Sequence, residues 1–273
     1  MPESAHSSSM MEITPEQVTA QIIALFNQDM PTWVRCHAVL GGGNAGRIFV
    51  DDLTHPKVGY VWERDDGTLY QGGVKDRQRL QKMVEELRQA GNVALGFRDS
   101  DPQVALFPPD PDAGAECVEL YRPAGGSELA PFLSLPPGFE VFRMDRELIE
   151  NSPRLEETLF RYRDLESYLR TGMDVCILHG EEYVCEAGAD MDVGGIREVG
   201  VVTEHAYRGG KGFGTLVTAH LLKWCDELGC DTYWDCVKLN IGSLKIARKL
   251  GYVSERSYKL LGWFPPNRKV GFT

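Results

Sequence analysis

The sequence predicts an α+β fold in two halves. Three observations carry that expectation. Amphipathic stretches of helix length alternate with apolar runs of strand length, and the strand-like runs read as a mostly antiparallel set. Arg64, Asp65, Asp66 and Gly67 form a hairpin turn between two of them. Residues 100–137 then hold Pro102, Pro108, Pro109, Pro111, Pro123, Pro131, Pro136 and Pro137, a density that breaks helices and central strands. The expected organisation is a polar tail over residues 1–12, an N-terminal half over 13–135 and a C-terminal half over 136–273.

Residues 14–29 read as an amphipathic helix. Thr14 serves as N-cap, Pro15 as first helical residue and Gln17 as capping-box partner, with Val18, Ile22, Leu25 and Phe26 on one stripe. Strands are expected over 34–40, 47–50, 58–63 and 69–74. A helix over 75–90 is closed by Gly91, and a strand over 93–97 follows. A short strand, 116–121, lies inside the proline-rich stretch. The second half opens with a strand over 139–144 and a helix over 153–169, with Leu155, Leu159, Tyr162 and Leu165 on one face. Three strands follow, 175–179, 181–187 and 196–203. A helix over 212–228 turns Val217, Leu221, Trp224 and Leu228 inward and is closed by Gly229. A strand over 231–237, a helix over 241–250 and a strand over 252–261 complete the chain.

Composition narrows the function classes. The 273 residues are 42% hydrophobic and 25% charged, as in a soluble globular protein. No apolar window approaches the ~20 residues that span a bilayer. The first residues carry no apolar core of a secretory signal, so the expected location is cytoplasmic. The net charge of -11 opposes nucleic-acid binding and favours cationic small molecules. Seven cysteines, Cys36, Cys117, Cys176, Cys185, Cys225, Cys230 and Cys236, contain no C-x-x-C and read as reduced structural thiols. The histidines lack metal-ligand spacing, so no metal is expected.

The stretch that carries chemistry is V-V-T-E-H-A-Y-R-G-G-K-G-F-G, residues 201–214. A strand and a short loop lead through Gly209, Gly210, Gly212 and Gly214 into a helix. The first N–H groups of a helix lack internal partners and carry partial positive charge. Glycines let a phosphate approach that backbone, and Arg208 and Lys211 add cationic side chains. The pattern is not a Walker loop, because no G-K-[ST] closes it, and no second βαβ unit follows to make it a dinucleotide fingerprint. The loop over 41–46, G-G-G-N-A-G, precedes no helix and reads as a turn.

Residues 198–214 resemble motif A of the GNAT acetyltransferases, and N-I-G-S-L-K-I-A-R-K-L-G-Y, residues 240–252, resembles their motif B. The resemblance covers roughly residues 139–265. Residues 46–61, with 139–148, look like the branch that includes the zwittermicin A resistance acetyltransferase, in which a divergent α/β N-terminal half precedes the catalytic one. The resemblance implies a GNAT fold in the C-terminal half: a mixed, mostly antiparallel sheet flanked by helices, opened as a V between two central strands. It implies acetyl-CoA as co-substrate and a small-molecule amine as acceptor. Val201, Val202 and Thr203 would pair with the pantetheine arm. The backbone of Arg208, Gly209, Gly210, Lys211, Gly212, Phe213 and Gly214 would hold the pyrophosphate. Asn240 and Ser243 would face the pantetheine or cysteamine end, although Asn240 is also a natural helix N-cap.

Two departures from the family pattern stand out. Its loop runs R-G-x-G-x-G, and here one extra residue separates Arg208 from Gly212. Either the loop bulges or Gly209 takes the usual Arg or Gln slot. The second concerns the tyrosine that many members use as general acid, whose slot holds Ala247. Tyr252 and Tyr258 are then the candidate acids, Tyr233 a poorer one. An amine must lose a proton before it attacks a thioester, and a carboxylate can take it. Glu198, on the strand expected to hold acetyl-CoA, is the candidate base, with Glu204 and Asp235 behind it. Alternation puts Glu198, Gly200 and Val202 on one face. Glu181, Glu182, Glu186, Asp190 and Asp192 just before could attract a cationic amine. No histidine is placed by sequence to activate Cys236 as a nucleophile, so direct attack in a ternary complex is expected. The alternative is a CoA-binding sensor or regulatory module without turnover. Monomer and homodimer are both compatible with the sequence.

Overall fold

The computed structural model describes residues 10–162 and 164–266. The part of the predicted tail over residues 1–9 lies outside them. The described residues divide into two compact units, one over residues 10–114 and 260–266, the other over residues 115–259. The division falls at residue 114 rather than near 135. Most of the strand inside the proline-rich stretch pairs with the central strand Asp231–Val237 and so belongs to the second sheet.

In the first unit, β1 (Met11–Ile13), β2 (Gly46–Val50), β3 (Val58–Glu63) and β4 (Leu69–Gly73) pair antiparallel in that order. All of β3 is buried because both faces are covered. On one face Ile48, Val61 and Tyr70 meet Ile22 of α1 (Ala20–Ile23) and Cys36, Val39 and Leu40 of α2 (Trp33–Leu40). On the other, Phe49, Tyr60 and Trp62 meet Leu80, Met83, Val84 and Leu87 of α3 (Arg77–Leu87) and Val93 and Leu95 of β5 (Val93–Phe97). Each such side chain, fully buried, contributes about 1.5–3 kcal/mol.

Two predictions fail in this unit. Residues 34–40 are helix, not strand. Trp33, Val34, Cys36, Ala38, Val39 and Leu40 are all buried, so the segment carries no polar stripe and its apolar positions fit either period. Nor is 14–29 one helix. Gln17 does accept from the Thr14 N–H at 2.9 Å, but only Pro15–Gln17 form a 3₁₀ turn. Val18 is extended, and Thr19 caps a new start by accepting from the Ile22 N–H. A threonine side chain that bonds local backbone favours a cap over a helix interior.

In the second unit, β7 (Phe139–Arg143), β8 (Asp174–His179), β9 (Glu182–Val193) and β10 (Ile196–Thr203) run antiparallel, neighbour to neighbour. Next to β10 lies β11 (Asp231–Val237), parallel to it, then β6 (Ala113–Arg122), antiparallel to β11, then β12 (Val253–Trp263); the first two residues of β6 and the end of β12 from Leu260 are counted with the first unit. α7 (Phe213–Glu227) packs on β8, β9 and β10 with Val217, Leu221, Leu222 and Cys225 fully buried. α8 (Ile241–Lys249) adds Leu244 and Ala247 to that core. Leu228, expected inward, is 58% exposed, because it stands just past the last helical residue. The predicted helix over 153–169 is two pieces, α5 (Leu155–Arg161) and α6 (Leu165–Thr171), and an unpredicted short helix, α4 (Arg146–Asn151), precedes them. Asp164 restarts the helix by accepting from the Ser167 N–H at 2.7 Å.

One clamp fixes the far end of α7. The buried guanidinium of Arg122 donates two bonds to Asp226, both 2.8 Å, and a third to Ser127 at 3.0 Å. The Gly125 N–H also donates to Asp226.

Candidate functional site

The central strands part company within the sheet. β10 and β11 are in parallel register only at Ile196↔Asp231, Arg197↔Thr232 and Glu198↔Tyr233. Beyond Glu198, β10 runs on to Thr203 held by β9, and β11 runs on to Val237 held by β6. Each flank is secured by its outer neighbour, so a gap opens between them. Its edge on β10 is the main chain of Gly200, Val201, Val202 and Thr203.

The gap leads to the start of α7. After β10 a 3₁₀ turn, His205–Tyr207, is followed by Gly209, Gly210 and Gly212 at φ 91°, 96° and 80°. These are left-handed conformations that only glycine adopts without strain. The extra loop residue is thus taken up as two successive left-handed glycines. Gly212 is the N-cap of α7 and offers no side-chain cap. Within the described residues, none of the N–H groups of residues 209–214 donates a hydrogen bond. A run of unused donors at a helix start binds anions. Arg208 is exposed and donates from Nε to the Thr203 carbonyl at 2.8 Å, and the Lys211 ammonium stands 5.2 Å from the Tyr207 ring centre. Tyr207 in turn packs edge-on against Phe213 and donates to Glu182.

Asn240 caps α8 by accepting from the Ser243 N–H at 3.1 Å, and the Ser243 hydroxyl accepts from Trp234 Nε1 at 2.9 Å. Both therefore have structural work at the mouth of β11. Ala247 is fully buried in the core beneath α7 and α8.

The opposite face of the sheet is acidic. Alternation and register set Glu186 across from Val202, Gly188 across from Gly200 and Asp190 across from Glu198, with Asp174 of β8 beside Gly188. Arg161 and the Tyr162 hydroxyl of the helical segment both donate to Asp190, and Ser152 donates to Glu186 at 2.8 Å. Burial raises Glu186 above the usual carboxylate range. Burial, then the charge of Asp190, pushes Asp174 up to about 8. Asp174 Oδ1 is buried with no hydrogen-bond partner. A Cβ on Gly188 would stand 2.2 Å from it, so the glycine makes room for the carboxyl. A small cleft of about 80 Å³ opens here, bordered by Gly200, Val201, Val202, Asp174, Glu186 and Asp190 and by Arg154 and Arg161.

The acid face continues across β11. Tyr233 and Glu119 are fully buried, and the Tyr233 hydroxyl donates to Glu119 at 3.0 Å. The buried Tyr258 hydroxyl donates to Asp235, 2.8 and 2.9 Å from its two oxygens. Glu198 is 8% exposed at the last paired position before the gap. Tyr252 lies elsewhere, in the core edge-on to Trp234, and burial raises its hydroxyl.

The predicted residues thus fall into groups. Residues 200–203 and 208–214 meet at the gap, and Glu198 stands at its closed end. Tyr258 shares the acidic face with Glu198, and Tyr252 does not. Of the predicted acidic cluster only Glu186 and Asp190 face this surface, while Glu182 holds Tyr207 and Asp192 holds Arg197. Sequence reasoning missed Asp174, Glu119, Arg154 and Arg161. Strand alternation read across β8, β9 and β6 is the signal that would have found the two acids. Among the described residues no group of three His, Cys, Asp or Glu side chains could hold a metal ion, and no helix is long and apolar enough to cross a membrane.

A family model described as GNAT acetyltransferase matches residues 24–261. The chain is 22% identical over 264 residues to the "Uncharacterized N-acetyltransferase YdfB" of Bacillus subtilis (strain 168), covering 93% of this chain and 98% of that protein. A GCN5-related N-acetyltransferase-like protein from Streptococcus suis has a similar structure, with TM-score 0.67 and 23% identity over 90% of this chain and 99% of that one. A tandem GNAT protein from the clavulanic acid biosynthesis pathway has TM-score 0.56 and 11% identity over 95% and 100% of the two chains.

Proposed function

The chain belongs to the GNAT acetyltransferase family, and we propose that it moves the acetyl group of acetyl-CoA to the primary amine of a small cationic acceptor by direct attack in a ternary complex. One observation carries this reading: β10 leaves β11 after Glu198, beside a helix start whose N–H groups are unused. A pyrophosphate fits that start, on the backbone of residues 208–214. The main chain of Val201, Val202 and Thr203 would pair with the pantetheine arm, and Asn240 and Ser243 would border its far end. Acetyl-CoA supplies the activated carbonyl.

The chain's own residues then handle protons. Glu198, at the closed end of the gap, takes the proton that the acceptor ammonium must lose. Glu186 and Asp190 on the same face draw the cation in. Tyr258, on Asp235, is the better of the two candidate acids for the departing thiolate, because Tyr252 lies in the core. A cationic acceptor also agrees with the net charge of -11 and with the likeness of residues 46–61 to the zwittermicin A resistance branch. A cytoplasmic reaction fits the same reading.

Calorimetric titration tests the first half. Acetyl-CoA and CoA should both bind with micromolar affinity, and no binding at millimolar ligand would sink the proposal. CoA release with a panel of amines tests the second half. Glu198→Gln should lower turnover about 10²–10⁴-fold with acetyl-CoA affinity retained; unchanged turnover would remove Glu198 from its role. A second reading, a CoA-binding regulatory module, is favoured by Ala247 in the usual acid slot. It predicts tight CoA binding and no turnover with any amine.

A further inference from the structure

Element for element, the first unit repeats the second. Each runs strand, helical segment, three strands, one helix, one strand: β1, α1 with α2, β2, β3, β4, α3, β5 against β7, α4 with α5 and α6, β8, β9, β10, α7, β11. The first four strands keep the same sheet order in both. The strand after the helix is parallel to the one before it and barely paired, through a single bridge, Thr68↔Ala94, in the first unit. In both, a lysine precedes the helix N-cap: Lys75 before Asp76, Lys211 before Gly212.

The two N-caps differ in chemistry. The Asp76 carboxylate accepts from the Arg79 N–H at 3.0 Å and so occupies the start of α3. A phosphate brought there would meet a like charge and a donor already taken. The first unit is closed at the end where the second is open.

The cleft beside β4 and β5 nevertheless survives, as a cavity of about 440 Å³. That lies within the ~300–1,000 Å³ of small-molecule sites. One wall is apolar, with Leu25, Met30, Leu69, Leu95 and Phe107. Gln71, 7% exposed, borders the cavity, and its Nε2 donates to the buried Tyr60 hydroxyl at 3.1 Å. Its Oε1 has no partner. Exchanging the amide ends would leave the nitrogen unmatched instead, so one amide atom stays unsatisfied either way. A buried unmatched amide is costly unless something bonds it. Lys75, Arg98, Asp29 and Asp101 also border the cavity, two cations and two anions. The Lys75 ammonium donates to the Gln71 main-chain oxygen, and burial pulls it below the usual lysine range.

We propose that this cavity is a second ligand site, which takes a free apolar α-amino acid. The carboxylate lies toward Lys75 and Arg98, the ammonium toward Asp101 and the Gln71 amide, and the side chain against the apolar wall. The balance of charges around the cavity selects a zwitterion over a simple anion or cation. The site does not depend on the acetyltransferase reading.

The test uses the full chain in calorimetry and thermal-shift assays with L-leucine, L-methionine and L-phenylalanine. At least one should bind with Kd below about 1 mM. Phenylalaninamide and 3-phenylpropionate, each lacking one charge, should bind about tenfold more weakly than phenylalanine or worse. Lys75→Met and Gln71→Leu should each abolish amino-acid binding and leave acetyl-CoA binding intact. No response to any of the three at about 10 mM overturns the proposal, as does undiminished binding in both variants. Acetyl-CoA should bind once per chain; two equivalents would overturn the closed start of α3. Amino-acid binding without acetyl-CoA binding would sink the proposed function and support this site.

Discussion

Asp174→Asn should make the protein more stable, by a margin that grows as pH rises from about 4 to about 8. Asp174 sits beside Asp190 and Gly188, with Tyr168, Glu186 and Arg161 also acting on it. Burial first, and the Asp190 charge second, raise it from the ordinary 3.8 to about 8. The unfolded chain releases this proton near 3.8, while the folded chain keeps it until about 8. Between those values the folded state binds more protons, so stability is present in acid and falls as pH rises. At ~1.4 kcal/mol per pH unit that loss is on the order of a few kcal/mol. A gain of about 2–3 kcal/mol at pH 8.5 is expected, because asparagine keeps the shape of the protonated acid and cannot ionise. In a chain of this size that is about 4–12 °C in Tm. Thermal melts of both proteins by circular dichroism from pH 5.5 to 9 read it directly. A stability difference that does not change with pH would refute the reasoning.

Two further substitutions probe the same unit. Gly212→Asp puts a carboxylate at the start of α7; the left-handed backbone there should cost about 1 kcal/mol of stability, read as a lower urea midpoint, while acetyl-CoA affinity drops at least about tenfold, read by calorimetry. Asp226→Asn leaves the buried Arg122 guanidinium without its counter-charge and should cost about 3 kcal/mol, read as a lower urea midpoint with an unchanged m value.

Much of the fold is written in local pattern. The strands 58–63, 93–97, 196–203 and 231–237 match their predicted spans, because each is an apolar run bounded by turn residues. The failures share a cause. At 34–40 nearly every position is buried, so period carries no information and tertiary packing decides. At Thr19 and Asp164 a short polar side chain captures a nearby N–H and restarts a helix that the apolar stripe would continue. The boundary moved for a different reason. Proline density reports where regular structure is interrupted, whereas sheet membership depends on a partner more than a hundred residues away.

The two faces of the candidate site differ in legibility for a physical reason. The proposed cofactor side depends on main-chain geometry, and glycine is the residue that permits it, so residues 209–214 stand out in order along the chain. The proposed acceptor side depends on which carboxylates share a face across β6, β8, β9, β10 and β11. That requires register, and a single bulge, such as the shift between Ile196 and Glu198, changes which side chains align. Composition could say that the chain is acidic; only the pairing gathers Asp174, Glu186, Asp190 and Glu198 around a floor of Gly188 and Gly200. The same contrast separates the two units. Both have the parting strands and the lysine before the helix, but the Asp76 carboxylate occupies one helix start, whereas the N–H groups of residues 209–214 are unused at the other.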